Sequence, residues 1–212
     1  MYNLPYFKEN DPKDVMEFIH NHPFAFIAGC NQDQQPVATQ IPVFIEERDH
    51  QLFLSGHMMK QQDHHKAFEQ NPNVLCVFTG NSSYVSATWY KDPQQASTWN
   101  YMSVHVKGVI KFLDDAALID VLKKTSLHFE KGDQHSTTVY DNLPVDYREK
   151  LLKAIVAFEV KVQSIDHVFK LSQNRDKESY HSIISKLEKG DDGGRFIAEE
   201  MRKREDRRGG GE

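Results

Sequence analysis

The sequence predicts an α+β protein, mainly β, in which a small antiparallel barrel carries inserted helices. Apolar segments separated by short polar turns are typical of hairpin-linked strands. Six or seven such segments cover residues 24–30, 37–47, 51–56, 73–80, 83–90, 100–112 and 156–162. In residues 100–112 apolar and polar side chains alternate, which indicates a half-buried strand. Closing such strands into a barrel removes their exposed edges, so a barrel is the expected arrangement.

Helices are predicted before, between and after these strands. Asp11 and Pro12 are typical of a helix start, and Pro23 is expected to end that helix because a residue before proline avoids the helical region. The other predicted helices cover residues 58–70, 115–131, 145–153, 176–189 and the segment around 196–201. Within the second strand, Pro42 indicates a strand edge or a bulge.

The composition is that of an ordinary globular cytoplasmic protein, and the length suits one fair-sized domain or two small ones. The chain has 212 residues and a formal net charge of −5, which disfavours non-specific binding to nucleic acid. We expect no membrane span and no signal peptide, because no apolar run is long enough. The two cysteines, Cys30 and Cys76, suit a reducing compartment, and Cys76 is expected to be buried. A flexible basic and glycine-rich tail is predicted at residues 204–212.

The segment SGHMMKQQDHHK at residues 55–66 is the first candidate site. A metal site is disfavoured, because His64 and His65 point about 100° apart on a helix and no third ligand is suitably spaced. The chemistry favours an anion site, in which Gly56 opens a helix whose free N–H groups, with Lys60 and Lys66, attract phosphate. A solvated polar helix without a ligand is the alternative.

Two further segments carry side chains suited to a ligand. Trp99, Asn100 and Tyr101 combine aromatic and amide chemistry, which suits a flat ring with polar edges. A second polar cluster follows the last strand and consists of Lys170, Ser172, Gln173, Asn174 and Arg175. The simpler alternatives are that Trp99 anchors the core and that the second cluster is a capped loop.

Several motifs together resemble the PaiB family. These motifs are PFAFIAG, PVATQIPV, LSGHMMKQQDHHK, YVSATWY, STWNYMSVHVKG, KAIVAFEV and FKLSQNR, and they run in order from about residue 1 to about residue 203. The family consists of FMN-binding split-barrel proteins described as negative transcriptional regulators of protease synthesis and sporulation. The resemblance therefore implies a single split-barrel domain over residues 1–203, which forms a homodimer with a flavin in each of two grooves at the interface.

The resemblance also implies which residues approach the cofactor, FMN. They are Ser55, Gly56, His57, Lys60, Lys66, Trp99, Asn100, Tyr101, Lys170, Ser172, Gln173, Asn174 and Arg175. No catalytic residues are assigned, although flavin-dependent redox activity is compatible with this reading. Two alternatives stay open: a repressor that contacts DNA directly without flavin, and a haem-binding split barrel that uses His57, His64 or His105.

Overall fold

In the computed structural model, which describes residues 1–205, six strands form a closed barrel in the order β1-β2-β3-β6-β5-β4. The pairs β1–β2, β1–β4, β2–β3 and β3–β6 are antiparallel. The strands are β1 Phe24–Cys30, β2 Pro36–Arg48, β3 Gln51–Met59, β4 Asn73–Val85, β5 Thr98–Phe112 and β6 Ile155–Lys170. The predicted antiparallel barrel is confirmed.

Six α-helices within the described residues flank and connect these strands. They are α1 Pro12–Asn21, α2 Asp63–Gln70, α3 Asp115–Phe129, α4 Val145–Ala154, α5 Lys177–Leu187 and α6 Asp192–Lys203. Asp114, Asp176 and Asp191 each cap the helix that follows, by accepting a hydrogen bond from a first-turn backbone N–H. No helix in residues 1–205 has both the length and the apolar character needed to cross a bilayer.

Pro42 marks the point where β2 changes its pairing partner. Residues Pro36–Pro42 pair with β1, and residues Val43–Arg48 pair with β3. Proline has no N–H to donate to a ladder, so it fits best where the ladder changes. The next backbone N–H, of Val43, donates instead to the Pro23 carbonyl at 2.8 Å.

The chain divides into two compact units. The larger unit contains Ile19–Phe78 and His105–Ile165. Inside the barrel its inward side chains are fully buried, as Ile27, Leu54 and Phe158 show. On the outer face of the sheet α3 adds a second apolar cluster, which consists of Leu118, Leu122, Tyr140, Ile155 and Ala157.

The smaller unit contains Met1–Phe18, Thr79–Val104 and the segment from Asp166 onward. Its helices α5 and α6 pack together, and the Tyr180 hydroxyl donates to the Met201 carbonyl at 2.7 Å. Arg204, at the start of the predicted tail, forms ion pairs with Glu9 and Glu200 at 2.8 and 2.5 Å. Residues 206–212 of that predicted tail lie outside the described residues.

Three local predictions were wrong. The predicted strand at 83–90 is the end of β4 followed by a short 3-10 helix at Ala87–Trp89. The last helix, predicted around 196–201, begins earlier, because Gly193 and Gly194 lie in the first turn of α6. The corner predicted at Gly56 does not exist, because β3 continues to Met59 and α2 begins only at Asp63. Pairing with β6 explains the extension, since His57 lies opposite Ala157 in that ladder.

Gly56 is required by packing inside the barrel. A Cβ atom at this position would lie 2.8 Å from Phe158 Cζ and 2.9 Å from the Pro42 carbonyl oxygen. Both distances are shorter than real Cβ contacts, and the carbonyl belongs to the neighbouring strand and cannot rotate away. The missing side chain therefore lets the Phe158 ring fill the barrel against β3.

We predict that Gly56→Ala lowers the free energy of unfolding by ~1–3 kcal/mol, the usual cost of overpacking a core. Urea denaturation followed by circular dichroism measures this change. In the Phe158→Leu background the same substitution should cost less, because a smaller side chain leaves room for the methyl group. A Gly56→Ala chain as stable as the parent would contradict this account of the glycine.

Candidate functional site

The first predicted group lies on the outer side of the barrel and on α2, within the larger unit. Ser55 and His57 are half-buried and alternate along β3 with inward-facing Leu54 and Met58. Burial lowers the pKa of His57 below its ordinary value. The ring is therefore neutral at pH 7, where it can both donate and accept a hydrogen bond.

The two lysines of this group have different surroundings. The Lys60 backbone N–H donates to the Ala154 carbonyl at 2.8 Å, and its ammonium donates to the Leu152 carbonyl at 3.0 Å. Lys66 is exposed on α2, and its ammonium forms no hydrogen bond or ion pair with any residue in the described part of the chain. Lys66 is thus the cation of this group that is free to bind a phosphate.

A buried histidine lies beside these lysines. His65 packs against Phe112 with ring centroids 4.6 Å apart, and its Nδ1 is 3.6 Å from Glu69 Oε2, too far for a hydrogen bond. Burial lowers the pKa of His65, and the charges of Lys60 and Lys66 lower it further, although Glu69 opposes them. Both lysines therefore belong to the electrostatic surroundings of this buried ring.

The start of α2 is less open to an anion than we predicted. Asp63 stands in its first turn and accepts a hydrogen bond from the His64 backbone N–H at 2.7 Å. This bond holds the pKa of Asp63 below its usual value, so the carboxylate remains charged. Attraction for a phosphate in this segment therefore depends on the lysine side chains.

The second predicted group lies in the smaller unit, where β5 points alternate residues to opposite sides. Trp99 is 55% exposed and lines a cavity of about 420 Å³ together with Tyr101. The Trp99 ring meets Tyr84 edge to face, with centroids 6.0 Å apart. Trp99 is therefore not a core anchor, which decides an alternative that the sequence left open.

Asn100, between these two aromatic residues, is completely buried. Its Oδ1 accepts a hydrogen bond from the Ser172 hydroxyl at 3.0 Å, and its Nδ2 lies 3.6 Å from Met201 Sδ. The amide thus ties β5 to the turn after β6 and to α6. Any ligand contact of Asn100 would be made from the floor of a cavity.

The turn after β6 gathers the remaining predicted residues. Gln173 fixes this turn, because its Oε1 accepts from the Leu171 N–H at 2.7 Å and its Nε2 donates to the Phe169 carbonyl at 2.5 Å. The other four residues of the cluster line a cavity of about 290 Å³ with Asn100: Lys170, Ser172, Asn174 and Arg175.

Sequence reasoning missed the N-terminal wall of this cavity. Tyr2, Leu4 and Tyr6 line it, and all three are exposed. The available signal was the pair of tyrosines in MYNLPYF, which lie outside all of the predicted strands and helices. The prediction that the residues of both units bind one flavin stays a prediction.

Among residues 1–205, no group of three or more His, Cys, Asp or Glu side chains is arranged to hold a metal ion. Both cysteines are free, and Cys76 is fully buried as predicted. Burial raises the pKa of the Cys76 thiol to about 12, so this cysteine is not a nucleophile at neutral pH.

Comparison with known proteins adds independent information. Residues 1–164 match the family model described as "Putative FMN-binding domain". The chain is 30% identical over 190 residues to the protease synthase and sporulation protein PAI 2 of Bacillus subtilis, and the match covers 89% of each chain.

Two solved structures share the fold. The FAD- and haem-binding protein of Mycobacterium smegmatis superposes with a TM-score of 0.57 at 17% identity, covering 76% of this chain and 72% of that chain. A conserved hypothetical protein of Mycobacterium tuberculosis superposes with a TM-score of 0.52 at 11% identity, covering 80% and 91%. Together with the confirmed barrel, the family match and the relative from Bacillus subtilis show that this chain belongs to the PaiB family of FMN-binding split-barrel proteins.

Proposed function

We propose that the chain is a cytoplasmic homodimeric flavoprotein that binds the FMN phosphate at Lys60 and Lys66. We further propose that it affects transcription as a negative regulator through its flavin, without contacting DNA directly. The observation that carries the first part is the exposed Lys66 ammonium, which forms no hydrogen bond or ion pair within residues 1–205. A phosphate site requires positive charge that no carboxylate neutralises. Because the chain belongs to an FMN-binding family, the phosphate of FMN is the anion that we assign to Lys66.

The residues of the larger unit fit the cofactor. The exposed Lys66 ammonium offers three donors to a phosphate, and the Ser55 hydroxyl and the neutral His57 ring can bond to polar groups of the ligand. When bound, FMN supplies one- and two-electron redox chemistry. The protein groups would hold and orient it, and His57 would add a hydrogen bond without adding a full charge.

The exposed ring of Trp99 supports a role for the smaller unit in the same function. A half-exposed tryptophan beside a cavity can stack on a flat heterocycle, and that contact would release ordered water from both surfaces. We propose that Trp99 and Tyr101 contact the flavin ring or its substrate. Trp99→Ala, measured separately from changes at Lys66, tests this assignment.

The charges on α6 argue against direct DNA contact. Its basic side chains are neutralised locally, since Arg195 pairs with Asp192, Arg202 with Glu188, and Lys203 with Glu199 and Glu200. DNA-binding helices instead leave such cations free for phosphates. Salt-dependent binding of promoter DNA by flavin-free protein would contradict this part of the proposal.

An exposed apolar face of the barrel supports the proposed homodimer. Phe24 and Phe26 are 59% and 42% exposed and point to the same side of β1. Their neighbours on that side include Pro42, opposite Phe24, and Val77, opposite Phe26. Exposed aromatic residues clustered on a sheet are a frequent sign of an interface, because association removes them from water.

Lys66→Met should weaken FMN binding about tenfold or more, because a hydrogen bond to a charged group contributes ~1.5–3 kcal/mol. Fluorescence quenching of free FMN on titration with protein measures this affinity. Riboflavin, which lacks the phosphate, should bind the parent chain and the variant equally. Lys150→Met, which removes an exposed lysine on α4, serves as the matched control. Equal loss of FMN and riboflavin affinity would show that Lys66 does not bind the phosphate.

Phe26→Glu should convert the dimer to a folded monomer, because a buried unpaired carboxylate opposes association. Light scattering after size exclusion, over a range of protein concentrations, reports the molar mass. Tyr147→Glu, at a 52% exposed position of α4, controls for added charge. If Phe26→Glu leaves the mass of a dimer unchanged, this face is not the interface.

A further inference from the structure

The cavity beside the turn after β6 combines two cations with an aromatic wall. It has a volume of about 290 Å³ and lies entirely within the smaller unit. Its walls come from the N-terminal segment, the start of β5 and the turn after β6. Among the residues that line it, Lys170 and Arg175 are basic and none is acidic.

The positive charge of Lys170 is not neutralised by a carboxylate. Its ammonium donates a hydrogen bond to the Thr98 hydroxyl and lies 5.7 Å from the centroid of the Tyr2 ring. Among residues 1–205 it forms no salt bridge. Burial lowers the pKa of Lys170, and the charge of Arg175 lowers it further. A bound anion would be stabilised by the positive charges of both Lys170 and Arg175.

Arg175 is oriented by an aromatic ring and an amide. Its guanidinium lies 4.1 Å from the centroid of the Tyr90 ring, and it donates a hydrogen bond to Gln95 Oε1. A guanidinium stacked on an aromatic ring keeps its planar set of donors oriented. The Arg175 side chain therefore needs little reorganisation when a ligand binds at the cavity wall.

The floor between the two cations is rigid. Ser172 adopts a left-handed backbone conformation with φ of 60°, and its hydroxyl donates to the buried Asn100. The side chain of Gln173 closes the same turn through two backbone hydrogen bonds. Lys170 and Arg175 thus project from a preformed turn and not from a mobile loop.

The opposite wall is aromatic. Tyr2 and Tyr6 are 51% and 45% exposed, and both rings pack edge to face on the buried Phe7. The cavity holds the volume of about ten water molecules at ~30 Å³ each, which is slightly below the range of ~300–1,000 Å³ that encloses drug-sized ligands. A single aromatic ring with an anionic group matches this space, whereas inorganic phosphate would leave the aromatic wall without a partner.

We propose that this cavity binds a small aromatic carboxylate, whose carboxylate contacts Lys170 and Arg175 and whose ring packs against Tyr2 and Tyr6. The ligand would be a substrate or effector of the protein. This proposal does not depend on flavin binding, because no residue of the Lys60 and Lys66 group lines the cavity.

Isothermal titration of the full chain with benzoate tests the proposal. Benzoate should bind at least about tenfold more tightly than benzamide, its neutral analogue, and than acetate, which lacks the ring. Lys170→Met should weaken benzoate binding about tenfold, and Lys189→Met, at an exposed position of the same unit, should not. Tyr6→Ser, at an exposed position, should weaken benzoate and leave acetate unchanged, with circular dichroism confirming that each variant is folded.

Several results would overturn the proposal. These are no heat of binding at millimolar benzoate, equal binding of benzamide, tighter binding of inorganic phosphate than of benzoate, or equal affinities in Lys170→Met and Lys189→Met. The Lys66→Met chain should bind benzoate as the parent does. This arm separates failure of the benzoate site from failure of the proposed FMN site.

Discussion

Closure of the six-stranded barrel is the constraint on which the rest of the structure depends. Each strand has a neighbour on both sides, so inward side chains must fit a fixed interior. At Gly56 and Gly108 no side chain fits: a Cβ at Gly56 would clash with Phe158, and a Cβ at Gly108 would lie 2.5 Å from the Lys161 carbonyl oxygen. Because the pairing of β3 is fixed in this way, Ser55 and His57 must project outward, where a ligand can reach them.

The same two-residue alternation distributes chemistry along β5 in the smaller unit. Trp99 and Tyr101 point to one cavity, while Asn100 points inward and is hydrogen-bonded to the turn after β6. The three consecutive residues Trp99, Asn100 and Tyr101 therefore have two different roles. The aromatic residues line a cavity, and the amide fixes the turn between Lys170 and Arg175.

Periodicity predicted most strands and helices, because burial on one face leaves a local pattern in the sequence. It failed after Gly56, where polar residues ended the apparent strand, although pairing with β6 about 100 residues later keeps the chain extended to Met59. The cavity residues Tyr2 and Tyr6 were missed for a similar reason. Their role depends on contact with a segment near residue 170, and local patterns carry no information about such contacts.

The family match makes one claim central: the protein carries FMN. The most direct test is to denature the freshly purified chain and to identify the released small molecule by its mass and its absorbance spectrum. We expect a yellow protein that releases FMN in a near-stoichiometric amount. Release of haem, with a Soret band in the intact protein, or failure of added FMN to bind the colourless chain, would contradict the account.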